Sequence, residues 1–268
     1  MMNNENKMKL KWYGTATILL EQGGTRLFFD PFIPIAERAY KPSVHELSKA
    51  ENILVTHGHF DHIAAIPDIM KQGNGKAAVY CTATPRKALI SKGVDGKRIH
   101  KIKPGDVLNV EPFTVRVLKG KHVVFDKWFI IKTILNPRML AGMGNLVYIL
   151  KENKHYNEAG ETVIYEISSD DKRILLLGSL NLDDDTEYPV GVDMLILPLQ
   201  GRSNISSYAM KFVDRLQPER VLLDHFNDTF PPISSDVDTE PFILLMRRKY
   251  PEVQVTYPRA GAEWMEIF

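Results

Sequence analysis

The feature that most restricts this chain is the run Thr56-His57-Gly58-His59-Phe60-Asp61-His62. It follows residues 52–56, a short apolar stretch of the kind a buried strand has, and precedes residues 63–71, which read as a helix. A strand end, a turn and a helix start thus put three histidines and an aspartate on one loop, where a rigid scaffold commonly carries binding groups. Alternate residues of an extended segment share a face, so His57 and His59 can aim at one metal ion. Once the chain turns into the helix, Asp61 and His62 come round to a neighbouring position. Imidazole and carboxylate are the ligand types that suit a borderline ion such as zinc. Chance produces such residues at these offsets on the order of once in a million starts, so coincidence is set aside. A purely structural use, with Asp61 capping the helix and the histidines solvated, leaves three clustered histidines on an apolar strand end without a purpose.

One loop cannot complete two metal positions, so further ligands must come from later strand ends. His122 follows a predicted strand at 114–118 by a short glycine-containing turn, and His225 follows a predicted strand at 220–224. Both are expected as ligands. His100 starts a strand between charged residues and His155 lies in a polar hairpin, so both are expected at the surface. The only cysteine is Cys81. It excludes an intrachain disulfide and a thiolate-rich zinc site, leaving nitrogen and oxygen to hold any metal.

The rest of the chain alternates. Strands are expected at 10–13, 17–21 and 26–30, with Gly23-Gly24 as a hairpin turn. Residues 33–49 read as irregular. Further strands are expected at 78–81, 99–102, 107–110, 114–118, 146–150, 162–168, 173–178, 194–197, 220–224 and 254–257. Helices are expected at 84–92, 206–216 and 240–249, and residues 128–143 are apolar with imperfect helical spacing. Antiparallel β first and αβαβ last suggest sheets covered by helices. With 268 residues, 44% hydrophobic and 25% charged, the chain fits one soluble domain spanning 1–268, with 1–9 as a frayed leader. A net charge of +1 provides no global field toward nucleic acid or an anionic membrane, although a local basic patch is compatible with it. No apolar run approaches the ~20 residues of a membrane span, and the polar start lacks a signal-peptide core. A cytoplasmic location, a small-molecule substrate and a homo-oligomer are therefore the expectation, with no clear nucleic-acid or membrane partner.

The order strand, His57-x-His59-x-Asp61-His62, helix, distant His122, distant His225 resembles the metallo-β-lactamase superfamily. More narrowly, Trp12-Tyr13-Gly14-Thr15-Ala16-Thr17, the Phe28-Phe29-Asp30-Pro31 turn and the late run through Pro198 to His225 are similar to the L-ascorbate 6-phosphate lactonase-like group. The resemblance covers roughly residues 9 to 268. It implies an α+β fold, an αββα four-layer sandwich, with one metal position on His57, His59 and His122 and a second on Asp61, His62 and His225. It also implies a bridging aspartate after a late strand. Here Ser179 stands at that place, in Leu177-Gly178-Ser179-Leu180. A neutral hydroxyl is a poor replacement for a carboxylate touching two cations, so the second ion should bind more weakly, unless Asp183, Asp184 or Asp185 swings in.

Asp30 reads either as an acceptor orienting a ligand histidine or as a turn residue before Pro31. Arg202 and Asn204, in the loop after Pro198, are candidate substrate-binding residues. Residues 128–143 are a lid or apolar wall, or else a buried or dimer-facing helix. The chemistry expected is hydrolysis of a small ester, lactone or phosphoester by metal-bound hydroxide, with Asp61 as ligand and proton carrier. Zn2+ is the expected ion, one or two per chain, with Mn2+ or Fe as alternatives. Two other readings are a phosphodiesterase acting on nucleic acid or lipid head groups, and a degenerate metal-binding protein that lost turnover with the aspartate.

Overall fold

The structure, a computed structural model, describes residues 7–156 and 160–268. Lys9–Gly14 (β1), Thr17–Gln22 (β2) and Thr25–Phe29 (β3) form an antiparallel meander. Its tight β2–β3 turn uses Gly23 and Gly24 at φ 58° and 81°, the positive-φ pair that a two-residue hairpin of this hand requires. Val44–Leu47 (α1) is a single turn capped by the Ser43 hydroxyl. Asn52–Leu54 (β4), Ala78–Cys81 (β5) and Ile99–Lys101 (β6) then add in parallel beside β3. Between them lie the helices Phe60–Ile63 (α2), Ile66–Gln72 (α3) and Ala83–Ser91 (α4).

The second half repeats this plan. Val107–Val110 (β7), Phe113–Lys119 (β8), Val163–Ser169 (β9) and Lys172–Leu177 (β10) pair antiparallel. Met194–Pro198 (β11), Arg220–Asp224 (β12) and Gln254–Thr256 (β13) continue in parallel. Ile205–Leu216 (α8) and Glu240–Lys249 (α9) cover this sheet. Lys127–Ile134 (α5), Arg138–Ala141 (α6) and Met143–Tyr156 (α7) interrupt it between β8 and β9. Met265–Glu266 (β14) returns to the first sheet beside β1. The strand orders are β14-β1-β2-β3-β4-β5-β6 and β13-β12-β11-β10-β9-β8-β7.

Three apolar clusters make this an αββα sandwich. Leu20, Phe29, Val117, Ile174 and Ile196 meet between the sheets. Phe28, Ile53 and Val79 meet Ile63, Ile66 and Leu89 of the helices over the first sheet. Leu175, Leu195 and Leu223 meet Ala209, Val213 and Phe242 over the second. Both faces of the inner parallel strands β11 and β12 are therefore buried, which is why they read as unbroken apolar runs rather than alternations.

Three expectations are corrected. Residues 146–150 are not a strand. Ile149 and Tyr156, two turns apart on α7, bury against the helices of the first layer, and that packing overrides the β preference of Val147-Tyr148-Ile149. His155 accordingly belongs to α7 and not to a hairpin. Its side chain and residues 157–159 lie outside what the structure describes. Of the expected leader, residues 1–6 lie outside the described residues, but Met8 is buried and is tied to the other end of the chain by Met8 N–H to Phe268 O at 3.1 Å and Ile267 N–H to Met8 O at 3.0 Å.

Candidate metal centre

The loop 55–59 leaves the carboxyl end of β4 and enters α2 with His59 at the N-cap, in extended geometry. His122 follows β8 and His225 follows β12, and the sandwich brings all three chain segments to one edge. The backbone there is held tightly. Thr15, Asp30 and His225 have φ of 51°, 45° and 56°, a left-handed conformation that costs a non-glycine residue on the order of 1–3 kcal/mol. Backbone bonds hold two of them: His225 N–H donates to Thr15 O at 2.8 Å and Asp30 N–H to Leu54 O at 3.1 Å. Gly178 makes room for the loop, because a Cβ there would stand 2.1 Å from Thr56 Cβ.

Within this frame the ligand atoms of His57, His59 and His122 lie within 4.8 Å of one another, and so do those of Asp61, His62 and His225. Their hydrogen bonds assign the ring protons. The Asp30 carboxylate accepts from Thr56 N–H at 2.7 Å, Thr56 Oγ1–H at 2.6 Å and His62 Nδ1–H at 2.8 Å. With its proton committed to Asp30, Thr56 Oγ1 accepts from His57 Nδ1–H at 3.0 Å. His122 Nδ1–H donates to Val123 O at 2.9 Å, and His225 Nδ1–H to Gln200 Oε1 at 2.6 Å. In its neutral form each of these four rings is left with a bare Nε2. Orientation of this kind, through the nitrogen that does not ligate, is how proteins prepare a histidine for a metal.

Two observations test whether the residues suit a cation. His57 Nε2 is fully buried with no partner among the described residues, a loss of about 1–3 kcal/mol unless something binds it. His225 Nε2 also faces Asp61 Oδ2 at 3.2 Å. With Nδ1–H given to Gln200, a neutral His225 would oppose lone pair to lone pair, so a proton or a metal ion must sit between them. The residues fit a divalent ion of nitrogen and oxygen preference.

Electrostatics point the same way. Burial, reinforced by the neighbouring histidines, holds His57 well below the usual imidazole range, and burial likewise lowers His59. His122 falls to about 4, by burial and then by His59. These rings are neutral ligands at pH 7. Burial also pulls on His62, but the carboxylates of Asp30 and Asp61 outweigh it and leave His62 raised. Burial would raise Asp61, yet His62 and His225 hold it well below the usual carboxylate range.

The other predicted residues are placed as follows. Ser179 is buried, and its Oγ accepts Val123 N–H at 2.9 Å, bracing the loop that carries His122. Asn181, unnoticed in the sequence, supports the same loop by donating to His122 O at 3.1 Å. Asp183 does not turn inward. It is buried beside Lys119 and Lys121 and held at about 2 by Thr186 and Lys119. Asp184 pairs with Lys121 at the surface, and Asp185 is exposed.

Arg202 and Asn204 lie outside the cavity over the histidines. Arg202 donates to Asn204 Oδ1 at 3.2 Å and to Val124 O at 2.6 Å, and its guanidinium stacks on Tyr208. The residues of that loop that line the cavity are Gln200 and Gly201, whose signal in the sequence is their place two and three residues after the end of β11. His100 stacks on Tyr80 at the sheet edge, away from the centre. Asp224 was also missed, although it immediately precedes His225. Its carboxyl is fully buried, neither oxygen has a partner among the described residues, and burial pushes it well above the usual carboxylate range.

The two ligand groups form the floor of a cavity of about 340 Å3. Its walls include Phe125, Phe129, Ile130, Ile134, Phe230 and Ile233, and among the described residues no lysine or arginine lines it. Residues 128–143, left open between wall and buried helix, thus contribute a wall through α5, none of whose residues is buried.

The family model described as the beta-lactamase superfamily domain matches residues 9–225. The UPF0173 metal-dependent hydrolase YtkL of Bacillus subtilis (strain 168) is 28% identical over 231 residues, covering 85% of this chain and 89% of that protein. A UPF0173 metal-dependent hydrolase of Pyrobaculum arsenaticum is 26% identical over 229 residues, covering 85% and 88%. Among solved structures, that of Igni18, a metallo hydrolase from the archaeon Ignicoccus hospitalis, shares the fold with a TM-score of 0.64 at 18% identity, over 97% of this chain and 99% of that one.

Proposed function

The chain belongs to the metallo-β-lactamase superfamily and is a metal-dependent hydrolase, and we propose that it cleaves small esters, lactones or phosphoesters that carry an apolar group. In this reading His57, His59 and His122 hold one ion, and Asp61, His62 and His225 a second. The observation that carries it is the pairing of these two ligand groups with an apolar cavity directly above them. An apolar wall favours an uncharged acyl, alkyl or aryl substituent. The absence of lysine and arginine from the described lining argues against a substrate whose phosphate needs its own cation, which weighs against the sugar-phosphate lactone that the narrower resemblance implies.

A divalent ion bound here supplies Lewis acidity and a water acidic enough to react near neutral pH. The chain supplies the rest. Nδ1 acceptors hold four of the ligand rings in one tautomer. The apolar walls beside the ligands lower the local polarity, which strengthens electrostatic effects on a developing oxyanion. Asp61 is the acid–base candidate nearest the reacting centre. The Ser179 hydroxyl spends a lone pair on Val123 N–H and keeps its proton for a substrate or solvent oxygen. Zn2+ is the ion proposed, with Mn2+ or Fe as alternatives. Five neutral imidazoles and one carboxylate offset little of the charge of two divalent ions, so one tight ion and one weak ion per chain are expected.

The test combines metal analysis of protein purified without added metal with a panel of aryl esters of rising chain length, lactones and bis(p-nitrophenyl) phosphate. Turnover that a chelator abolishes and Zn2+ or Mn2+ restores supports the reading. A protein that holds no metal and gains none on soaking sinks it.

A further inference from the structure

We propose that helices α5 to α7 seat this protein on an anionic lipid surface, with the mouth of the metal cavity facing the membrane. More than half of the exposed large hydrophobic side chains of the described residues fall between Val124 and Leu150. Trp128 is 68% exposed, Leu135 74% and Leu140 81%. Exposed apolar side chains concentrated in one segment of a globular protein point to an interaction site.

Charge selects the partner. Residues 127–151 carry four of the 34 basic residues and none of the 33 acidic ones, so the +1 of the chain divides into +4 here and −3 elsewhere. Arg138 is paired with Asp228, but Lys127 and Lys132 are exposed and have no acidic partner among the described residues. Exposed Trp, Ile and Leu interleaved with lysine is the composition of a helix that lies in a bilayer interface, apolar side chains among the acyl chains and ammonium groups at the headgroups. The negative remainder of the molecule orients the approach, since an anionic surface repels it. A second copy of the chain fits less well. A two-fold contact is isologous and would set the basic face against itself. Spanning is a different matter: no helix among the described residues is long and apolar enough to cross a membrane.

The same helix joins surface and cavity. Ile130 and Ile134 are exposed and also line the cavity, while Phe129 and Thr133 line it further in. The segment is held at both ends. Asp126 caps α5 and accepts Ser203 N–H at 2.7 Å, Arg202 holds Val124 O, and Ile149 and Tyr156 are buried at the far end. Arg202 is thus a tether for the docking element. An apolar substrate dissolved in the bilayer would pass between apolar side chains to the metal floor. That last step rests on the proposed function, whereas the docking itself does not.

Flotation of the purified full chain with vesicles tests it. Binding to phosphatidylcholine vesicles containing phosphatidylserine should exceed binding to pure phosphatidylcholine by at least tenfold and weaken with salt. Lys127→Glu with Lys132→Glu should abolish the preference, and Trp128→Ser with Leu135→Ser should abolish binding. All four side chains are exposed, so circular dichroism should show the variants folded. No binding to either vesicle, or equal binding to both, overturns the proposal. So does a self-association in analytical ultracentrifugation that Trp128→Ser with Leu135→Ser disperses. Flotation needs no turnover, so vesicle binding without ester cleavage refutes the hydrolytic reading alone, and cleavage without vesicle binding refutes the docking alone.

Discussion

Asp30 is the residue whose replacement should reveal most about the centre. Its carboxylate accepts three donors, and through them it reaches both ligand groups: His62 directly, and His57 through the Thr56 hydroxyl. Asp30→Asn keeps the shape, and asparagine tolerates the φ of 45° at this position, so the backbone is undisturbed. The amide has one acceptor oxygen where the carboxylate has two. It can keep Thr56 N–H, but it turns an NH2 toward two donors. Two charge-assisted hydrogen bonds are then at risk, at about 1.5–3 kcal/mol each, an upper limit of about 3–6 kcal/mol. That is a large part of the ~5–15 kcal/mol that stabilises a typical domain. With the rings less well oriented, metal affinity should fall ~10–100-fold, which corresponds to about 1.4–2.7 kcal/mol. Competition with a chromophoric chelator measures the affinity and urea unfolding the stability. Thr56→Val is the companion variant. It removes the link to His57 and leaves the bond to His62, so only one of two binding phases should weaken. If Asp30→Asn binds metal within threefold of the wild type, with an unchanged unfolding midpoint, the argument that Asp30 orients the ligands is wrong.

Three further outcomes follow from the geometry. Ser179→Asp should tighten the weak ion by about tenfold or more, since a carboxylate would enter a site poor in negative charge; a calorimetric titration with unchanged stoichiometry and affinity would remove Ser179 from the bridging position. Gly178→Ala should destabilise the protein by roughly 1–3 kcal/mol through overpacking, because its methyl would overlap Thr56, and urea unfolding reads this directly. In the metal-free protein His122 titrates near 4 against about 6.5 unfolded. The unfolded state therefore binds more protons between those values, and stability is lost as pH falls through that window. His122→Asn should make that slope shallower, and an unaltered slope would show that His122 is not held neutral by burial.

What could be read from sequence was what the chain writes locally. The run His57 to His62 is a strand end, a turn and a helix start, and its spacing already divides it between two positions. His122 and His225 were legible because each follows a strand, and strand ends of a layered fold gather at one edge. Asp30 was only half legible, because nothing near Pro31 says that Thr56 lies opposite it. Arg202 was half legible for a similar reason. A cation in a loop after a strand looks free to meet a substrate, but Val124 O, 78 residues away, takes it. The stretch 146–150 misled through composition, since Val, Tyr and Ile favour strands until Ile149 and Tyr156 find a helical layer to pack on. Exposure of the segment after Asp126 is a tertiary fact that an apolar composition alone would have concealed.

The expected weakness of the centre was a missing bridging carboxylate, yet the structure has a carboxylate behind the ligand rings. Asp30 lies under both groups and fixes one ring of each. The two carboxylates would do different work. A bridging one adds negative charge between the cations, and its loss lowers the affinity for a second ion. One behind the rings sets their orientation whether one ion is bound or two. Ser179 should therefore change stoichiometry while leaving the first ion well held, whereas Asp30 should affect both positions together. The same logic separates a weakened enzyme from a dead one. If orientation survives, as the bonds to Asp30, Val123 and Gln200 indicate, a single ion on His57, His59 and His122 would have neutral ligands under an apolar wall, which would suffice for hydrolysis by one metal.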